Sequence, residues 1–232
     1  MDKLDTLQRI IDKAEHIVFF GGAGVSAASG IPDFASRPDI PFETILSHDY
    51  FINETEKFFD FYKNNMLFPH ARPNAVHYAL ASLEKRRRLA AVITQNVDGL
   101  HRGAGSNRVF ELHGNVNYNY CQKCGKSYDL GYILSSKGIP RCSCGGVVKP
   151  DVLLYGEPMD RYMLDMAAAY AMSADVFIVG GTSLAVQPAA GIAENYLGSR
   201  LVLINKTDTY LTDRADLVIN EDIEKVFKEL SV

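Results

Sequence analysis

The sequence predicts an α/β fold: a parallel sheet with helices packed on both faces, interrupted by a small cysteine-bearing module. Short apolar runs alternate with segments of helical period along most of the chain. These runs are apolar throughout instead of alternating with polar residues, as expected of strands buried on both faces. Between residues 116 and 149 the apolar periodicity lapses, and polar residues, glycine and cysteine take over, so this stretch reads as an insertion.

Residues 4–15 place Leu4, Leu7, Ile10, Ile11 and Ala14 on one helical face. The run from His16 to Phe20 reads as the first buried strand and closes on glycines. A helix beginning near Val25 or Ser26 is expected next, ended by Ile31-Pro32-Asp33. Residues 37–42 hold two prolines and read as loop. Residues 43–67 read as helical, with Phe51, Phe58, Phe59 and Tyr62 supplying aromatic bulk, and residues 74–84 as another helix. The basic run Lys85-Arg86-Arg87-Arg88 complements the dipole at that helix's end better than it suits a polyanion site. Leu89–Thr94 and Val109–Leu112 read as strands with polar ends, and Val152–Tyr155 as a further strand. Helices over 161–172 and 188–197, strands over 175–179, 200–204 and 217–219, and a terminal helix complete the pattern.

Composition narrows the function classes. Of 232 residues, 47% are hydrophobic and 22% charged, an ordinary globular balance that argues against disorder or coiled coil. The net charge of −4 disfavours a general nucleic-acid or membrane-surface binder. No apolar run approaches the roughly 18–20 residues of a membrane span. The charged N-terminal segment lacks the apolar stretch of a signal peptide, so a cytoplasmic location is expected.

All four cysteines, Cys121, Cys124, Cys142 and Cys144, fall within 24 residues as two tight pairs, each followed by glycine. Four thiolates so arranged suit a structural, tetrahedral zinc ion and leave no open position for catalysis. A redox pair is the rival reading; the second pair weighs against it. The segment Gly22-Ala23-Gly24-Val25-Ser26-Ala27 fits G-x-G-x-x-G/A, whose glycines let backbone approach a pyrophosphate. Alone the motif is weak, and a purely structural turn is the alternative. The acidic residue expected about 20 positions on should end a second strand. Glu43 stands at that distance, but beyond two prolines with no strand between. Gly180–Ser183 and Asn205-Lys206 fall at strand ends, the edge where open α/β sheets bind ligands. His113, beside a glycine at another strand end, suits a general base. A structural histidine is the alternative there, and it is the favoured reading for His16, His48, His70 and His77.

The segments GAGVSAASGIPDF (22–34), TQNVDGLH (94–101), ELHG (111–114), the two cysteine pairs, KPDVLLYGE (149–157), GGTSLAVQPAA (180–190) and LVLINK (201–206) occur in that order. Together they resemble the sirtuin (Sir2-like) family of NAD-dependent protein-lysine deacylases in its bacterial form. The resemblance implies a Rossmann-like large domain (1–36, 73–115 and 150–232). It also implies a small domain built from a helical module (37–72) and a zinc-binding module (116–149). It implies NAD as co-substrate, structural zinc, acyl-lysine proteins or peptides as partners, and no specific nucleic-acid or membrane partner. The products would be nicotinamide, free lysine and O-acyl-ADP-ribose. Mono-ADP-ribosyl transfer on the same fold, or weakly active NAD-responsive binding, are the alternatives.

Residue by residue, the resemblance implies that Gly22, Ala23 and Gly24 line the NAD phosphates, and that Asp33 and Phe34 border the nicotinamide and ribose. Gln95, Asn96 and Asp98 would hold the nicotinamide ribose and carboxamide, with Asn96 and Asp98 also catalytic and Val97 as an apolar wall. Gly181, Thr182 and Ser183 would touch phosphate and adenosine ribose, and Asn205 and Lys206 the adenosine. His113 would be the general base. Val152, Leu153 and Tyr155 would shape an acyl-lysine tunnel, and Gly156-Glu157 would pair with substrate backbone. Three features depart from the family: Ala28 and Ala35 replace the usual glutamate and arginine, and the loop after Ser36 is short. Weaker NAD binding is the expected consequence. The loop also lacks the Tyr and Arg pair that certain relatives use for succinyl-lysine, which favours acetyl or longer neutral acyl groups.

Overall fold

The computed structural model describes residues 2–33 and 41–232; Phe34, Ala35 and the short loop after Ser36 lie outside the described residues. In chain order the strands are β1 (Ile17–Gly21), β2 (Leu89–Thr94), β3 (Val109–Glu111), β4 (Gly114–Cys121), β5 (Ser127–Tyr128), β6 (Val148–Val152), β7 (Val176–Gly180), β8 (Leu201–Ile204) and β9 (Leu217–Ile219). Six of them form one sheet in the order β3-β2-β1-β7-β8-β9, every pair parallel. The chain steps outward from β1 through β2 and β3, then returns to β7 and steps outward the other way. That reversal opens a crevice at the C-terminal ends of β1 and β7, the geometry of dinucleotide-binding sheets.

The central strands are buried on both faces, which is why they carry no polar alternation. Ile17 and Phe19 point into one core with α1 (Lys3–Lys13), the helix Ala75–Lys85 and the C-terminal helix Ile223–Glu229. Val18 and Phe20 point into the other, with the helices Arg161–Ser173 and Ala190–Glu194. Buried Ala167 and Ala171 let the first of these two helices lie close on the sheet. Among the described residues, no helix is long and apolar enough to cross a membrane.

The remaining strands form a second, antiparallel sheet, β5-β4-β6. It shares a third core with the helices α3 (His48–Asn53) and α4 (Thr55–Asn65) and with Ile133 of the short helix Leu130–Ser135, while α2 (Phe42–Ile45) sets Phe42 against Phe61 at 5.7 Å. Phe51 meets Phe58 edge-on at 5.0 Å between ring centroids, and Phe58 stacks on Tyr62 at 5.7 Å. Such pairs add to the apolar burial of the rings.

Several sequence expectations need correction. The helix expected from Val25 or Ser26 is instead two 3₁₀ turns, Ala23–Val25 and Ala27–Ser29, ended by Gly30 at φ +83°. Before Pro32 there is room for little more, and the Ser26 hydroxyl is engaged elsewhere. The single helix expected over 43–67 is three: Ser47 is extended and its hydroxyl caps α3 by accepting from the Tyr50 N–H, and Glu54, at φ −127° and ψ 42°, separates α3 from α4. The strand expected at Val152–Tyr155 ends at Val152; Tyr155 makes only an isolated bridge to Ser47. The helix expected over 188–197 is confined to Ala190–Glu194. The insertion also holds more regular structure than its polarity suggests, since it carries most of the second sheet.

Gly114 starts β4 directly after His113, at φ +82°, and a Cβ there would overlap the Asp151 carbonyl oxygen. Both the backbone conformation and the space require glycine. Gly114→Ala is expected to cost at least about 3 kcal/mol, lowering Tm by roughly 6 °C or more by calorimetry. An unchanged Tm would contradict this account of the β3–β4 junction.

Candidate active site

The crevice at the sheet's reversal deepens into a cleft of about 780 Å³ between the strand ends and the third core. Of the residues singled out by sequence, Ala23, Asp33, Gln95, Asn96, Val97, Asp98 and His113 line it. So do Val152, Leu153, Tyr155, Gly156, Glu157, Gly181, Thr182 and Ser183. Gly22, Gly24, Asn205 and Lys206 lie outside its lining.

The two glycine-bearing loops after β1 and β7 touch each other. The Gly24 N–H donates to the Gly181 carbonyl at 2.8 Å. A Cβ on Gly24 would lie 2.8 Å from Gly181 Cα, and one on Gly22 would lie 2.8 Å from Thr182 Cβ. Only glycine permits this approach. Asn205 supports the floor from behind: its Oδ1 accepts from the Thr182 N–H at 3.0 Å. Its Nδ2 is buried with no partner among the described residues, an unmatched donor. Unmatched buried donors are costly, so this atom fits a ligand group. Lys206 is exposed and paired with Asp222 at 2.9 Å.

The residues just past β2 carry the polar centre. His113 Nδ1 lies 2.9 Å from the Gln95 carbonyl oxygen. A carbonyl can only accept, so Nδ1 carries the proton and Nε2 is left with its lone pair. Burial lowers the His113 pKa, while the Gln95 bond opposes the shift. The ring is therefore a neutral base at neutral pH. Alongside it, the Ser26 hydroxyl donates to Asp98 Oδ2 at 2.7 Å and accepts from Asn96 Nδ2 at 3.0 Å. Burial raises the Asp98 pKa against the pull of the Leu100 N–H and Ser26.

On the opposite wall, Leu153 donates its N–H to the His113 carbonyl at 2.9 Å. The Tyr155 N–H donates to the Leu46 carbonyl and the Tyr155 carbonyl accepts from the His48 N–H, both at 2.9 Å. The Glu157 carboxylate is held by Lys149, His48 and the Leu154 N–H.

Sequence reasoning missed several contributors. Ser26 lies inside the glycine motif, yet its sequence context marked only a helix start. Asn74 caps the helix Ala75–Lys85 and holds the Val25 carbonyl (2.7 Å) and Ser29 hydroxyl (3.0 Å) with Nδ2. Phe42, Leu46, Met66 and Phe68 also line the cleft, although residues 37–42 read only as loop and 43–67 only as helical. No local motif marks these residues.

The four cysteine sulfurs lie within 4.8 Å of one another, with Cys121–Cys144 at 3.5 Å and Cys124–Cys142 at 3.6 Å. A zinc tetrahedron with Zn–S of about 2.3 Å has S···S edges of about 3.8 Å, so the residues fit that ion. Hydrogen bonds from the Cys144 N–H and the Tyr128 hydroxyl bring the Cys142 thiol down to about 5, favouring the thiolate ligand form. A Cβ on Gly146 would come within 2.6 Å of Cys121 Sγ, so glycine lets the second pair close over the first.

The family model described as the Sir2 family matches residues 22–188. Two curated relatives carry the name NAD-dependent protein deacetylase. The one from Clostridium perfringens is 51% identical, with 97% of each chain covered. The one from Clostridium acetobutylicum is 48% identical, with 98% of each covered. A solved Sir2 structure in complex with the inhibitor EX-527, 2′-O-acetyl-ADP-ribose and a deacetylated p53 peptide superposes with a TM-score of 0.87. It is 34% identical, over 97% of this chain and 96% of that one.

Because Cys121 and Cys142 are buried in the third core, zinc removal should loosen that core. Purified protein is expected to release one zinc per chain, and Cys142→Ser or strong chelation to lower Tm by several degrees. Metal analysis finding no zinc would contradict the assignment.

Proposed function

The chain belongs to the Sir2 family, and we propose that it is an NAD-dependent protein-lysine deacylase, releasing nicotinamide, free lysine and O-acyl-ADP-ribose. One observation carries the reading. The neutral His113 imidazole, its Nδ1 committed to the Gln95 carbonyl, presents basic Nε2 in the cleft where the glycine loops and the β6 end meet.

Bound NAD supplies a cleavable nicotinamide–ribose bond and the ribose hydroxyls that accept the acyl group. In this reading Gly22, Ala23 and Gly24, with Gly181, Thr182 and Ser183, line its phosphates and adenosine ribose, the glycines letting the backbone come close. Asn205 Nδ2 and Lys206 serve the adenosine end, and the unmatched Nδ2 donor supports this. Asp33 and Phe34 border the nicotinamide ribose. Gln95, Asn96 and Asp98 receive the nicotinamide ribose and carboxamide, the last two aligned by Ser26, against the apolar Val97. Val152, Leu153 and Tyr155 shape the acyl-lysine channel, and Gly156-Glu157 pairs with substrate backbone. His113 takes a proton at Nε2 from a ribose hydroxyl during acyl transfer.

The large domain comprises residues 1–36, 73–115 and 150–232. The small domain is made from 37–72 and the zinc module 116–149. The separate third core supports this division. Cytoplasmic residence belongs to the same reading, supported by four cysteines gathered into one metal-binding cluster, which suits a reducing compartment.

His113→Ala is expected to reduce kcat/KM for an acetyl-lysine peptide with NAD at least about 100-fold. Near-wild-type turnover would remove the base assignment. The base works in its neutral form, and its pKa is lowered, so the neutral form persists to lower pH than in an ordinary histidine. The acidic limb of kcat/KM is therefore expected to have its midpoint below about pH 6.5. A midpoint above that value would contradict the burial argument.

A further inference from the structure

Residues 153–157 follow the end of β6 without regular structure, apart from the single bridge between Tyr155 and Ser47. A segment this short and irregular does not hold its own shape. Backbone bonds at Leu153, Tyr155 and Glu157 hold it, and one carboxylate ties those anchors together. Glu157 Oε2 accepts from the Leu154 N–H at 2.9 Å, closing the loop on itself. The same oxygen pairs with Lys149 Nζ at 3.1 Å. Lys149 Nζ also donates to the Val152 carbonyl at 3.0 Å, so it anchors the loop to the last residue of its own strand. Glu157 Oε1 lies 3.0 Å from His48 Nδ1 at the start of α3. That residue's backbone N–H already holds Tyr155. The loop is thus pinned at one end to β6 and at the other to the adjoining start of α3.

The charge arrangement makes the pin specific. The Lys149 and Glu157 side chains are only 15% and 18% exposed, so neither is well tolerated without the other. Burial alone would raise the Glu157 carboxyl, but the Leu154 N–H, His48 and Lys149 outweigh it and hold it below its usual range. The carboxylate is therefore committed to the protein and has no role in proton transfer at His113.

We propose that Glu157 is a positioning residue for the acyl-lysine substrate: through His48 and Lys149 it locks residues 153–157 against the start of α3, so that their backbone meets the substrate in one geometry. The proposal rests on the deacylase reading above. A loop ordered in advance does not pay its ordering entropy on binding, and that saving appears in substrate affinity alone.

Steady-state kinetics of the full chain with an acetyl-lysine peptide and NAD test this, using Glu157→Gln, His48→Ala and His48→Gln. Glu157→Gln is expected to raise the peptide KM about tenfold and His48→Ala about threefold, with kcat and the NAD KM within about twofold of wild type. His48→Gln keeps a hydrogen bond to Glu157 and is expected to restore the wild-type peptide KM. An unchanged peptide KM in Glu157→Gln overturns the proposal while leaving the deacylase reading intact. So does a parallel change in the NAD KM, kcat and Tm, which would indicate general loosening. Failure of the unmodified chain to transfer the acyl group sinks the deacylase reading and the clasp's role with it.

Discussion

Gln95 joins four strand ends through its polar groups. It follows β2 directly. Its N–H donates to the Gly21 carbonyl at the end of β1 (3.0 Å), and its own carbonyl accepts from His113 beyond β3 (2.9 Å). Its side-chain Oε1 accepts from the Thr182 hydroxyl beyond β7 (2.8 Å). This convergence is possible because the parallel register brings Gly21, Thr94, Glu111 and Gly180 to one edge. The orientation and tautomer of the histidine are thus consequences of sheet pairing. Two of the three contacts involve backbone atoms of Gln95, so much of the arrangement survives a change of its side chain.

The cleft's two walls have different mechanical origins. The strand-end wall rests on the doubly covered parallel sheet, with a glycine-to-glycine contact that admits no side chain. The facing wall belongs to a smaller core in which aromatic rings and two of the cysteines pack together. Met66, Val116, Val152 and Leu154 belong both to that core and to the cleft lining. A small core depends more on staples than a large one. The cysteine cluster therefore bears on the facing wall although it lies outside the cleft lining.

The parallel sheet was legible because each strand is an unbroken apolar run, and the strand ends announced themselves by glycine or polar residues. The sheet's edge then located Gln95, Asn96, Asp98, His113 and Thr182 together. The features that escaped depend on contacts distant in sequence. Ser26 matters because Asp98 and Asn96, some 70 residues away, meet its hydroxyl. Tyr155 ceased to be a strand residue because its backbone partners lie at Leu46 and His48. The break at Ser47 has a local cause, a serine N-cap, which the apolar spacing around it concealed. Asn205 and Lys206 stand at the correct strand end, but only Asn205 reaches the loop floor, since Lys206 is drawn outward to Asp222.

A single physical cause sets the proton inventory of the cleft. Burial pushes the His113 pKa down and the Asp98 pKa up, so both groups move toward their uncharged forms. Hydrogen bonds oppose each shift: the Gln95 carbonyl favours charge on the imidazole, and the Leu100 N–H and Ser26 favour charge on the carboxylate. Exposing the site to water would relax both shifts and raise the charge on both groups. Exclusion of solvent and the availability of a neutral base are therefore the same property of this cleft. A substitution that opens either wall shifts the protonation of His113 even when it touches no polar group.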